Sequence, residues 1–86
     1  MGDNRDQALE AFARQVPVVS TSIGVEGLEV EHGKHVLIAD TPSDFAEQYQ
    51  ILMSNPTLGR TLTENAYSLV KNRYSPAHLI KILSQM

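Results

Sequence analysis

The chain has 86 residues, a net charge of −3 and 42% hydrophobic residues, which suits one small packed domain and argues against disorder. Cysteine is absent, so disulfides, thiolate nucleophiles and cysteine metal sites are excluded, and no basic run of the kind that tracks nucleic acid is present. No apolar run reaches the roughly 20 residues that span a bilayer, and the leading MGDNRDQ is too polar for a signal peptide. These features predict a soluble cytoplasmic protein with no transmembrane segment and no nucleic-acid partner.

Asp6 to Gln15 reads as the first helix, with Leu9, Phe12 and Ala13 on one stripe. Pro17 breaks it. Pro17 to Thr21, PVVST, is a β-branched run that is apolar on both faces, as in a parallel strand covered on both sides. Ser22 to Gly27 is a turn, with Gly24 and Gly27 able to take positive φ. Leu28 to Glu31 alternates apolar and acidic, which predicts a short edge segment. A second turn, His32-Gly33-Lys34, leads into the strand His35 to Ala39, HVLIA.

Three helices follow with the same opening. Thr41, Asn55 and Ser75 are N-cap types, and Pro42, Pro56 and Pro76 follow them. An N-cap oxygen accepts an orphan backbone N–H, and proline at the first helical position loses no bond. The first of these helices puts Phe45, Tyr49, Leu52 and Met53 on one face. The second puts Leu58, Leu62, Ala66, Leu69 and Val70 on one face. The third carries Leu79, Ile80, Ile82, Leu83 and Met86 and is nearly apolar all round.

The order is therefore α-β-(β)-β-α-α-α over a single domain, 1–86. The expected fold is α/β: a partial Rossmann-like layer of two to three mostly parallel strands, joined through helical crossovers. So few strands make half a sheet, and its outer edges invite pairing. A missing partner domain or a homo-oligomer would close it, most economically a symmetric dimer.

A collinear set of residues carries a family resemblance. Leu9-Glu10-Ala11-Phe12-Ala13, Pro17-Val18-Val19-Ser20-Thr21 and Glu26-Gly27-Leu28 stand in the order and spacing of the C-terminal donor-binding domain of GT-B glycosyltransferases. His35 to Asp40, Thr41-Pro42 to Phe45-Ala46, Asn65-Ala66 and Arg73-Tyr74-Ser75 continue the likeness. The group 1, or family 4-like, branch is the one it resembles. The resemblance implies transfer of a sugar from a UDP- or GDP-linked donor to an acceptor hydroxyl, with no metal and no other cofactor. It covers the tail of the donor domain, so the chain reads as a fragment that is inactive alone and contributes no catalytic residue.

Three residues are carried over as donor-nucleotide contacts. Glu10 matches the family's second donor glutamate, whose two carboxylate oxygens can hold a ribose diol. The first donor glutamate would fall at Gly2. Arg5 falls on the family's arginine and would neutralise donor phosphate, while Gln7 stands where the family has lysine and supplies only a hydrogen bond. Thr21 follows the first strand, where ligands of Rossmann-type sheets bind; Ser20 and Ser22 share that turn. His32, His35 and His78 are too scattered for a metal motif. Tyr49 and Tyr67 read as half-buried packing residues, and Glu26, Glu29 and Glu31 as a solvated acidic edge. The alternative to a transferase fragment is a small self-associating α/β module without catalysis.

Overall fold

The computed structural model describes residues 4–84, apart from the side chains of 4–6, 79, 82 and 83. Helix α1 spans Asn4–Ala13, strand β1 Val19–Ser20, a 3-10 turn Ile23–Val25, strand β2 Leu37–Ile38, and helices α2 Pro42–Ser54, α3 Pro56–Arg73 and α4 Pro76–Leu83. The fold is mixed helix and sheet, with 61% helix, so the two strands are a minor layer among four helices.

Each later helix begins on the proline that its sequence proposed. Thr41 Oγ1 accepts the Asp44 N–H at 3.0 Å, and Ser75 Oγ accepts the His78 N–H at 3.2 Å. Asn55 departs from the pattern. Its amide Nδ2 donates backwards to the Ile51 carbonyl at 3.1 Å, closing α2 rather than capping α3.

Helix α1 lies between α3, α4 and the 3-10 turn, which explains why its apolar residues spread around its girth. Ala8, Leu9 and Phe12 join Val25, Val36, Ala66 and Val70 in one buried cluster. Phe12 is 1% exposed, and burying a side chain of that kind contributes about 1.5–3 kcal/mol. The helix starts earlier and stops sooner than Asp6–Gln15 predicts, because Gln15 turns the chain at φ 59°. Gln15 N–H donates to Phe12 O at 3.1 Å and Val16 N–H to Ala11 O at 2.9 Å. That pair of bonds is the Schellman stop, with glutamine in the position glycine favours.

Strands β1 and β2 pair in parallel, Val19 opposite Leu37 and Ser20 opposite Ile38. The ladder is flanked by Leu37 N–H to Val18 O at 3.0 Å and Ala39 N–H to Ser20 O at 2.9 Å. Side chains alternate across it. Val18, Val36 and Ile38 meet the α1 cluster, while Leu37 and Ala39 are buried outside that cluster. Helix α2 contacts both strands.

The structure corrects four expectations. Among the described residues Leu28 to Glu31 forms no strand; Leu28 and Val30 instead pack against the α1 cluster, and Glu29 pairs with Arg73 of α3. The link between β1 and β2 contains a 3-10 turn and loops, not an α-helix. Gly27 has positive φ, 86°, but Gly24 does not; it is buried in the 3-10 turn. Tyr49 is 53% exposed rather than half-buried, because α2 buries none of its residues. Tyr67 is half-buried as expected. The packing of Leu79, Ile82, Leu83 and Met86 lies outside the described residues. Among the described residues no helix is long and apolar enough to cross a membrane.

Candidate functional site

Two parallel strands end side by side, so the segments beyond them converge. After β1 comes Thr21-Ser22, and after β2 comes Ala39-Asp40. The Asp40 carboxylate accepts two bonds from Ser22: the backbone N–H at 2.8 Å and the hydroxyl at 2.6 Å. Donation by the Ser22 hydroxyl, and then by its N–H, holds the Asp40 carboxyl below the usual carboxylate range, against a smaller opposing effect of desolvation. Thr21 Oγ1 accepts the Gly24 N–H at 2.9 Å and starts the 3-10 turn. Ser20 Oγ donates to the Thr21 carbonyl at 3.0 Å. These short-range bonds give the loop a fixed shape before any ligand arrives.

A cavity of about 340 Å³ opens beside this loop. Gln7, Ala8 and Ala11 of α1 form one wall, Val18 to Thr21 the other, and Gly24 closes the end. Its polar groups are the Gln7 amide and the Ser20 and Thr21 hydroxyls. Among the described residues no titratable side chain lines it, and the arrangement offers hydrogen bonds to a polar ligand from both walls.

The three residues expected at a donor site are placed differently. Thr21 lines the cavity, and its hydroxyl hydrogen stays available after Oγ1 accepts from Gly24. Glu10 does not line it; its Oε1 lies 3.4 Å from Nε of Arg14, the residue just past the end of α1. Arg5 belongs to the first turn of α1, and its side chain lies outside the described residues. Gln7 does reach the cavity.

No protein-family model matches this chain, and no solved structure matches it. Function therefore has to be argued from these residues alone.

Sequence reading missed the Asp40–Ser22 clamp. The two residues are 18 positions apart, and only the parallel register brings them together. It also missed the histidines as hydrogen-bond acceptors. His35 Nδ1 accepts the Glu31 N–H at 3.0 Å, and His32 Nδ1 accepts the Ile38 N–H at 2.9 Å. Two histidines within a turn that ends in a strand were the available signal. Among the described residues no three histidine, aspartate or glutamate side chains converge to hold a metal ion.

A second cavity, about 230 Å³, sits between α1 and the end of α3. Leu9, Phe12, Leu28 and Val70 supply its apolar lining, and the paired Glu29 and Arg73 line it as well.

Proposed function

We propose that this chain is the nucleotide-sugar-binding part of a protein resembling GT-B glycosyltransferases, and that alone it holds a donor without transferring its sugar. The observation that carries the reading is the parallel register. It places Ser20 and Thr21, at the carboxyl end of β1, in the wall of the larger cavity, the region where ligands of open α/β sheets bind. The collinear match from Leu9 to Ser75 supports it. So does the partial Rossmann-like arrangement that this match implies for β1, β2 and the flanking helices.

In this reading Thr21 and Gln7 hydrogen-bond the ligand from the two walls. Glu10 turns from Arg14 to the ribose diol of a UDP- or GDP-linked sugar. Its present pairing is an i,i+4 contact whose side chains are 27% and 45% exposed, and such pairs contribute only about 0.3–0.5 kcal/mol. Exchanging it for two charge-assisted bonds to a diol is therefore feasible. Arg5, near the amino end of α1, is the cation this reading gives to the donor phosphate. Transfer needs donor, acceptor and base held together, and among the described residues the cavity walls contain no base.

Titration with UDP and with GDP, followed by amide shifts, tests the proposal. Millimolar nucleotide should move Glu10, Thr21, Ser22 and Gly24 and leave the far end of α3 in place. Unmoved signals at that concentration would remove the donor reading. Glycosyl transfer by the purified chain would overturn its second half.

A second reading, assembly without catalysis, is favoured by α2. Phe45, Tyr49 and Met53 form a stripe one turn apart and are 47%, 53% and 60% exposed. In that case copies of the chain form a homo-oligomer and nucleotide causes no shift. Light scattering across a concentration series separates the two readings.

A further inference from the structure

The turn from Glu31 to Ile38 is tied by two imidazoles that act as acceptors. His35 Nδ1 takes the Glu31 N–H, and His32 Nδ1 takes the Ile38 N–H. The second bond has a particular place in the sheet. The Leu37 and Ala39 N–H groups point to β1, so the Ile38 N–H faces away from it, on the outer edge of β2. His32 supplies the partner that a third strand would otherwise supply. An unpaired outer donor is what makes a strand edge prone to pairing.

A ring nitrogen accepts a hydrogen bond only while it carries no proton, so both bonds require neutral imidazole with its hydrogen on Nε2. We propose that His32 and His35 form a proton-operated latch on the outer edge of β2, closed when both rings are neutral and opened when they are charged. A charged ring turns each Nδ1 into a donor facing a donor. The Glu31–Ile38 turn then loses two of its ties, and the Ile38 N–H is left open to solvent or to an incoming strand.

The surroundings of His35 favour its neutral ring. His35 is 8% exposed, and burial followed by Lys34 holds its pKa down, with Glu31 opposing. Its bond persists further into acid than that of an unperturbed imidazole. Helix α3 presents a neutral group to this turn: Asn65 Nδ2 donates to the Lys34 carbonyl at 3.0 Å. Gly33 N–H to Val36 O at 2.7 Å and His35 N–H to Glu31 O at 3.0 Å do not involve a titrating ring. They keep the turn from unravelling altogether, so opening is local.

Amide hydrogen exchange between about pH 7.5 and pH 5, the range in which imidazole changes charge, tests the latch. Rates are corrected for intrinsic exchange and read together with the imidazole nitrogen shifts. The expected result is Nε2–H rings at neutral pH and at least tenfold loss of Ile38 protection in acid, while Leu62, Ala66 and Val70 amides of α3 keep theirs. The His32→Ala variant should show the open Ile38 amide at neutral pH and no further change on acidification. Nδ1–H rings at neutral pH overturn the proposal. Unchanged Ile38 protection across the range does so as well, and needs no variant to fold.

Discussion

Asp40 and Ser22 join the carboxyl ends of the two parallel strands through a two-point bond, 2.8 Å to the backbone N–H and 2.6 Å to the hydroxyl. Since both donors favour the ionised form, the folded Asp40 pKa lies below the ordinary aspartate value of about 3.8. The stabilisation linked to it is complete above 3.8 and is lost as pH falls through the lower folded value. A carboxyl carbon titration should therefore show a midpoint below 3.8 in the native protein. In Ser22→Ala, which removes the hydroxyl donor, the midpoint should move back up. An unchanged midpoint in that variant would separate Asp40 from the loop.

Gln15 marks a correctable strain. Its φ of 59° is left-handed, and non-glycine residues there cost about 1–3 kcal/mol. Glycine removes that cost but makes the unfolded chain more flexible, by about 0.5–1 kcal/mol. Gln15→Gly should therefore stabilise the protein, by about 1 kcal/mol within a range of roughly 0–2.5 kcal/mol, and raise Tm by a few degrees. Gln15→Val should do the opposite, because a β-branched side chain tolerates this region least. Thermal denaturation of both variants measures the effect.

The helix starts were legible in the sequence because an N-cap and the proline after it act within one turn. Thr41-Pro42 and Ser75-Pro76 each open a helix in this way, and Pro56 opens α3 although the Asn55 side chain does not cap it. The parallel sense of PVVST and HVLIA was legible too, from their continuous apolar runs. The fate of Leu28 to Glu31 was not. Its alternation suits a strand, but Leu28 and Val30 find the α1 cluster and Glu29 finds Arg73, so packing overrides pattern. The site divides the same way. Thr21 was readable as a turn residue at a strand end, whereas Asp40 acquires its partner only through the register of two strands far apart in sequence.

Helices α1 and α2 should respond oppositely to truncation. Phe12 fills the centre of the cluster, and Phe→Ala at such a site costs about 3–5 kcal/mol. At about 0.05–0.15 kcal/mol per residue the whole domain has only about 4–13 kcal/mol. Phe12→Ala should accordingly remove a large share of that margin and sharply lower the urea midpoint followed by circular dichroism. Phe45 and Met53 lie on the open stripe of α2, so Phe45→Ser with Met53→Ser should change the urea midpoint little. Light scattering on that double variant gives a second readout. If the stripe mediates assembly, the apparent mass falls while the fold persists.

His35 makes stability depend on mild acid. Burial first, and Lys34 second, hold its folded pKa below the 6.5 that the unfolded chain regains. The unfolded state therefore binds more protons between the two values. The contribution is complete above 6.5 and is lost as pH falls through the lower folded value. Urea midpoints should thus be flat from about pH 8 to 7 and decline towards about pH 5, the window in which imidazole gains its charge. His35→Gln removes the titrating ring but leaves an amide oxygen able to accept the Glu31 N–H. That variant should show a shallower slope in this window while keeping its native circular dichroism. The same decline in the variant as in the native protein would assign the acid sensitivity to another group.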